Sequence, residues 1–230
     1  MLSFIAARTT RVRLTANVLN LPLRPPAVVA RSVASLDRLS SGRAELGMGA
    51  GGFWDAVAAM GGRRLTAGQS VDALEEAIDV VRALWDTDAR TPASFSGTYY
   101  SLDGAKRGPS PVHEVGIWLG AYKPRMLSLV GRKGDGWLPS LQYLQPGELA
   151  TGNAAIDLAA VGAGRAPSDI RRLLNVSGGS GSPHLGFQGP LPSWGDEMTR
   201  MAVEDGISTF IVVGDDAGMI RTLARGLAPE

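Results

Sequence analysis

Cysteine is absent from the 230-residue chain. Its absence excludes disulfide bonds, thiolate metal sites and a cysteine nucleophile, and we expect no metal. No apolar run reaches the ~20 residues that a membrane-spanning helix needs, which predicts no membrane association. The chain also has no large excess of one charge, since its formal net charge is +1. It therefore lacks the broad positive electrostatic field that would attract nucleic acid. These absences favour a cytoplasmic protein whose partner is a small molecule.

Acidic residues are missing from the start of the chain: none precedes Asp37, whereas five arginines do. A composition rich in arginine and poor in acid is typical of an organelle transit segment. Residues 12–19, however, read VRLTANVL, a β-rich run that predicts a folded strand. We therefore expect a cytoplasmic protein rather than an imported one.

The chain does contain an alternation of short apolar runs and helical patterns. A strand from Val12 leads to a helix that Pro25 and Pro26 open. Thr66 and Gln69 form a candidate capping box before a helix with apolar residues on one face. Residues 95–102 predict a hairpin. Further strands are predicted to begin near Ala44, Val115, Gly136, Arg172 and Thr209, and further helices to cover residues 125–132, 148–163, 196–204 and 217–227.

This alternation predicts an α/β fold in which helices cover a parallel sheet. Because parallel connections have a strong handedness, the strands should follow each other in chain order with right-handed crossovers. The pattern by itself fits an open doubly wound sheet or part of a barrel. We predict a single domain over residues 1–230.

Glycine is concentrated in loops that follow predicted strands. In parallel α/β folds, ligands bind at the carboxyl ends of the strands, where these loops lie. The loops cover Asn17–Leu21, Gly47–Gly52, Gly120–Lys123, Gly214–Asp216 and a longer segment over residues 177–190, which we expect to be a mobile lid. An ordinary strand-to-helix corner is the alternative for each of them, but several on one rim favour a ligand site.

The corner after the strand near Val115 reads GAYKPR. Gly120 permits a tight turn and Pro124 suits the first position of a helix. The first N–H groups of a helix have no internal partner and favour an anion, and Lys123 and Arg125 lie beside this opening. The corner therefore predicts a phosphate site, with an ordinary connection as the alternative.

Four stretches in this order and spacing resemble a known family, the luciferase-like monooxygenases. They are residues 2–52, the helix SVDALEEAIDVVRALWD, the hairpin FSGTYYSL and the run IWLGAYKPRMLSLVGRKGDGWLPS. The family includes flavin-dependent monooxygenases and reductases that use the deazaflavin coenzyme F420. The resemblance implies a (β/α)8 TIM-barrel fold with FMN or coenzyme F420 in the mouth at the carboxyl ends of the strands.

The resemblance also implies where the cofactor binds. Asn17 and Val18 fall at a bulge behind the ring, where several relatives have a non-prolyl cis peptide bond. Some relatives carry an arginine where Ala50 stands, so the phosphate charge would rest on Lys123 or Arg125 here. The residues assigned to the ring and ribityl chain are Gly49, Ala50 and Gly51, and those assigned to the phosphate end are Gly120, Ala121, Tyr122 and Lys123.

The family's barrel begins with two βα units that precede the equivalent of Val12, and this chain lacks them. Residues 1–10 then correspond to the tail of the preceding helix, and about six βα units remain. An open barrel exposes strand edges, so we expect a homo-oligomer in which a partner chain covers the gap, with a poorly soluble protein as the alternative. The catalytic residues stay unassigned. We expect His113 and His184 to be ordinary surface histidines, with a role as acid–base groups as the alternative.

Two classes of function remain open at this point. The first is an oxidoreductase that uses a reduced flavin or F420 for hydride transfer or oxygen activation on a small organic substrate. The second is a shortened homologue that binds flavin without catalysis, or an inactive fragment. The sequence does not identify the substrate, and it does not separate FMN from F420.

Overall fold

The computed structural model of the chain describes residues 1–177, Phe187 and residues 191–226. The chain forms two compact units. The first unit comprises Met1–Gly120 with Lys133–Asp135, and the second comprises Ala121–Arg132 with Gly136–Glu230. Both have parallel strands alternating with helices, which is the predicted α/β class. No helix in the described ranges is both long enough and apolar enough to cross a membrane.

The first unit carries three parallel strands in chain order. Strand β1 pairs with β2, and β2 pairs with β5, with Leu19 opposite Met48 and Leu46 opposite Ile117. Strands β3 and β4 form the predicted antiparallel hairpin. The elements are α1 (Leu2–Arg8), β1 (Leu19–Asn20), α2 (Pro26–Leu39), β2 (Leu46–Gly49), α3 (Trp54–Ala59), α4 (Ala67–Trp85), β3 (Ala93–Ser96), β4 (Ser101–Ala105) and β5 (Ile117–Leu119).

Helix α4 forms as its sequence predicts. Thr66 accepts the N–H of Gln69, and the Gln69 side chain accepts the N–H of Thr66, which completes the capping box. The helix buries one apolar face, including Leu74, Ile78 and Val81. This face packs against α2 in the core of the first unit.

The first strand is shorter than predicted, so the prediction of a strand from Val12 to Leu19 is wrong. Leu14 makes a single parallel bridge to Ala44, and regular pairing resumes only at Leu19. Between them the Gly47 N–H is donated to the side-chain Oγ1 of Thr15, at 3.0 Å. In a regular strand this N–H would be donated to a backbone carbonyl. Because the Thr15 side chain accepts it instead, the chain bulges from Thr15 to Val18.

The second unit also carries three parallel strands in chain order, β6, β7 and β8. Two glycines permit close packing within it. A Cβ on Gly131 would lie 2.4 Å from the Ile156 carbonyl oxygen, and one on Gly152 would lie 2.4 Å from the Trp137 ring. The elements are α5 (Pro124–Lys133), β6 (Gly136–Trp137), α6 (Glu148–Gly162), β7 (Arg171–Val176), α7 (Leu191–Glu204), β8 (Thr209–Val212) and α8 (Ala217–Gly226).

Most other predicted elements are confirmed. Helix α3 was not predicted, and helix α7 begins at Leu191 rather than at residue 196. Helix α8 is described to Gly226, and the last residue of its predicted range lies outside the described residues. The predicted lid over residues 177–190 lies outside the described residues, apart from Ser177 and Phe187.

Candidate functional site

The carboxyl ends of β1, β2 and β5 form one rim within the first unit. Asn20, the last residue of β1, lies opposite Gly49, the last residue of β2. The Gly120 N–H, directly after β5, is donated to the Met48 carbonyl at 3.3 Å. The rim therefore gathers the first-unit residues that the sequence assigned to the cofactor.

The bulge before β1 contains a cis peptide bond between Asn17 and Val18. This confirms the backbone conformation expected at these two residues. Both are exposed at the rim. The role of the bulge toward a ligand stays a prediction.

Two glycines of β2 allow the bulge to lie directly on the strand. A Cβ on Gly47 would stand 2.0 Å from the Ala16 carbonyl oxygen, and one on Gly49 would stand 2.7 Å from Cγ2 of Val18. Real Cβ atoms do not approach other atoms this closely, so Gly47 has no room for a side chain against backbone, and a side chain at residue 49 would displace Val18. The absence of a side chain at Gly49 thus allows Val18 to lie directly on strand β2.

The loop after β2 places an aromatic side chain in solvent. Gly51 has φ +120°, and a Cβ there would meet the Trp54 ring at 2.7 Å. Phe53 has a left-handed backbone conformation, with φ 52°, and its side chain is 90% exposed. Ala50 is half-buried, and nothing lies within 4 Å of a Cβ built on Gly52. The loop therefore combines a fixed turn with open space beside it.

Asn20 adds an unexpected polar group to this rim. Its side-chain oxygen is buried and has no hydrogen-bond partner within the described part of the chain. A buried polar atom without a partner costs free energy on the order of 1–3 kcal/mol, so we expect this oxygen to accept a hydrogen bond from water or from a ligand. Sequence reasoning missed Asn20 because burial of one atom depends on contacts that are distant along the chain.

Three residues of the predicted phosphate corner, Ala121, Tyr122 and Lys123, belong to the second unit. The buried Ala121 carbonyl accepts the Trp137 Nε1–H at 2.9 Å, and the Tyr122 hydroxyl accepts the Ser140 N–H at 2.8 Å. Lys123 is exposed, and its carbonyl accepts the Leu127 N–H, so it caps the start of α5. The residues before α5 are therefore held in place, and the Lys123 ammonium faces solvent.

A small polar and aromatic cluster lies beyond Tyr122 in the second unit. The Tyr143 ring meets the Tyr122 ring edge to face, with 5.8 Å between centroids. The Asn175 side chain donates to Ser140 Oγ at 3.2 Å, although Asn175 belongs to the buried strand β7. The sequence analysis assigned Tyr122 but not Ser140, Tyr143 or Asn175. The available signal for Ser140 and Asn175 was a polar residue at the carboxyl end of a predicted strand.

His113 lies away from this rim. Its Nδ1 is 2.8 Å from Oδ1 of the fully buried Asp37, and its Nε2 is 3.7 Å from Glu45, which directly precedes β2. Asp37 also accepts the Val112 N–H at 2.8 Å. His113 therefore lies beside a buried carboxylate at the amino ends of the strands, and not at the ordinary surface position that the sequence favoured.

The second candidate histidine, His184, lies outside the described residues. Within the described ranges, no three side chains among His, Asp and Glu are grouped so that they could hold a metal ion.

Comparison with known proteins identifies the family. Residues 1–177 match the luciferase-like monooxygenase family, so this chain belongs to it. The F420-dependent glucose-6-phosphate dehydrogenase of Amycolatopsis mediterranei (strain U-32) is 34% identical over 135 residues, which are 58% of this chain and 40% of that enzyme. The 5,10-methylenetetrahydromethanopterin reductase of Archaeoglobus fulgidus is 31% identical over 179 residues, 77% of this chain and 51% of that enzyme.

A solved structure supports the fold. The F420-dependent secondary alcohol dehydrogenase in complex with an F420-acetone adduct has a TM-score of 0.83 and 20% identity, and the match covers 98% of this chain and 82% of that one. The fold class is thus α/β of the (β/α)8-barrel type, with six strand–helix repeats in the described residues. The chain spans about half the length, 40% and 51%, of the two curated relatives.

Proposed function

We propose that this protein is an oxidoreductase that binds FMN or coenzyme F420 and reduces or oxidises a small organic substrate in the cytoplasm. Family membership supports the reaction class, since its relatives include enzymes named for F420-dependent dehydrogenation. The observation that carries the proposal for this chain is the rim of the first unit, where the Asn17–Val18 bulge, the β2 glycines and the buried Asn20 oxygen lie together.

The residues of this rim fit a flat heterocyclic ring. Gly49 and Gly51 carry no side chain that would project from the loop, and nothing lies within 4 Å of a Cβ built on Gly52. A flat ring could therefore lie close to this backbone. The Asn20 oxygen is an acceptor, and flavin and deazaflavin rings both carry N–H donors. We assign ring contacts to Asn17, Val18 and Asn20, and contacts with the ribityl chain to Gly49, Ala50 and Gly51.

The phosphate is assigned to the corner before α5. Helix N-termini and adjacent cations bind phosphate through N–H groups and charge. Gly120 permits close approach of backbone, Ala121 and Tyr122 are held by hydrogen bonds, and Lys123 presents its ammonium group to solvent. The buried carbonyl of Ala121 is already satisfied, which leaves N–H groups and charge as the recognition elements.

A bound flavin or deazaflavin would supply the redox chemistry, since its reduced form can give a hydride to the substrate and its oxidised form can accept one. The chain's own part is to hold the ring against the bulge and to keep its polar edge satisfied by Asn20. Hydride transfer requires the substrate to lie within van der Waals contact of the ring. The exposed aromatic side chain of Phe53, beside the rim, is suited to cover a substrate held there. The proposal assigns no acid or base, because His113 lies at the amino ends of the strands.

A titration of the purified chain with FMN and with F420, followed by cofactor fluorescence, tests this proposal. The decisive variant is Asn20→Leu, which removes the buried oxygen. If Asn20 serves a ligand, the variant should bind cofactor about tenfold more weakly. Its unfolding free energy should stay equal or rise, because a buried polar atom without a partner is lost.

The Asn20 result separates a ligand role from a structural one. Weaker binding together with a loss of stability would indicate that Asn20 supports the fold and would remove the assignment. Gln145→Leu, at an exposed position of the second unit, is the matched control and should change neither quantity. Absence of binding to both cofactors would contradict the proposed function itself and would favour the alternative of an inactive fragment.

A further inference from the structure

A pocket of about 410 Å³ opens in the first unit beside the rim, because its lining begins at Leu21, the residue after Asn20. It lies among the 3-10 turn Leu21–Leu23, the loop that joins α3 to α4, and the tip of the β3–β4 hairpin. Its floor is apolar, made by the buried side chains of Leu21, Leu65 and Ala73. We call it the Arg24–Arg63 pocket after the two cations on its edge.

The hairpin tip that forms one wall is fixed by a single carboxylate. Glu76 of α4 accepts the N–H groups of Thr98 and Tyr99 at 2.8 Å and that of Tyr100 at 3.0 Å. The opposite loop is held where Gly62 donates its N–H to the Val57 carbonyl at 2.8 Å. The pocket is therefore preformed, and a ligand would lose little free energy in ordering it.

Two arginines give the pocket a positive edge. The Arg63 guanidinium lies 5.6 Å from the centroid of the Tyr99 ring, which orients it. Within the described ranges, neither Arg63 nor Arg24 has a carboxylate partner, whereas the neighbouring Arg64 pairs with Asp55. The nearest carboxylate at this wall, Glu76, is bonded to N–H groups of the hairpin tip, so both guanidinium groups keep their donors available for a ligand.

Tyr100 contributes a hydroxyl to the same edge. Burial raises the pKa of Tyr100, and the Glu76 carboxylate raises it further while Arg63 opposes the shift. The phenol is thus protonated at neutral pH and can donate a hydrogen bond to an anion.

We propose that the Arg24–Arg63 pocket binds an organic anion, with its carboxylate or phosphate on the two guanidinium groups and an aromatic or acyl body on the apolar floor. Its volume lies within the ~300–1,000 Å³ range of small-molecule sites. None of the residues assigned to the cofactor lines this pocket. The inference therefore stands apart from the proposed function.

Calorimetric titration without any flavin tests the pocket, with 2-naphthoate as the probe and neutral 2-naphthalenemethanol as its counterpart. The two share an apolar body and differ in charge. We expect one saturable site for 2-naphthoate and binding of the alcohol that is about tenfold weaker or absent. Equal affinity for the two probes, or no saturable binding of 2-naphthoate, would overturn the proposal.

Substitutions locate the site. Arg63→Gln and Arg24→Gln should each weaken 2-naphthoate binding several-fold, and together about tenfold or more. Arg64→Gln is the matched control, since it removes an adjacent exposed arginine that does not line the pocket, and it should leave affinity unchanged. A loss with Arg64→Gln as large as with Arg63→Gln would show nonspecific attraction and would contradict the proposal.

Charge reversal gives a gain of binding that a folding defect cannot imitate. Arg63→Glu should reject 2-naphthoate and bind 2-naphthylmethylammonium more tightly than the wild-type chain does. If the variant keeps the circular dichroism of the wild-type chain but still prefers 2-naphthoate to 2-naphthylmethylammonium, the anion binds elsewhere and the proposal is wrong. A cofactor titration with the same variants should give wild-type affinity, so failure of this inference and failure of the proposed function give different results.

Discussion

At the scale of single residues, glycine determines where two backbone segments of the first unit meet. Gly47 and Gly49 sit under the bulge that carries the cis peptide bond, and both lack the space for a Cβ. Gly52, a few residues further on, has open space around it. The glycines of one loop therefore have different physical roles, which their shared residue type does not reveal.

Substitution of these glycines tests that difference. Gly47→Ala would place a Cβ 2.0 Å from the Ala16 carbonyl oxygen, and we expect it to lower the unfolding free energy by roughly 2 kcal/mol or more. Gly52→Ala should leave stability equal or up to about 1 kcal/mol higher, because alanine restricts the unfolded chain. Urea unfolding measures both. Similar losses in the two variants would refute this account of the bulge.

At the scale of secondary-structure elements, one carboxylate of α4 organises the hairpin. Glu76 accepts N–H groups from successive residues of the turn. Gly97 leaves room for this carboxylate, since a Cβ there would lie 2.3 Å from Glu76 Oε2 and would displace it. The hairpin tip would otherwise leave these N–H groups to water. The helix therefore determines the conformation of the turn.

Glu76→Ala should release the hairpin tip. We expect amide exchange at Thr98, Tyr99 and Tyr100 to become at least about tenfold faster, since each loses its acceptor, with a stability loss on the order of 1–3 kcal/mol. Asp103→Ala, at an exposed carboxylate of the same hairpin, is the control and should leave exchange unchanged. Unchanged exchange in Glu76→Ala would show that the turn holds itself.

The elements also show which parts of the structure the sequence could predict. Helix α4 was predictable because its capping box and its apolar face are local patterns. The bulge before β1 was not, because it depends on Thr15 bonding to Gly47, far along the chain. The cis bond was expected only through the family resemblance, and the buried Asn20 oxygen depends on tertiary burial that no local pattern encodes.

At the scale of the whole molecule, β1 is the edge of the sheet in the first unit and pairs only with β2 among the described residues. Exposed strand edges favour association with another chain. We therefore propose a homo-oligomer. Light scattering on the purified chain should give a mass of at least twice the 24.1 kDa of one chain. A stable, soluble monomer would contradict the proposal.

The central claim is that this chain recognises a phosphorylated flavin or deazaflavin, and a titration that compares FMN with riboflavin tests it most directly. The two ligands share the ring and differ in the phosphate, which we assign to the corner before α5. We predict that FMN binds at least about tenfold more tightly than riboflavin. Added salt should reduce this ratio of affinities, and the double variant Lys123→Gln, Arg125→Gln should reduce it as well. Equal affinity for FMN and riboflavin in the unmodified chain would contradict the account.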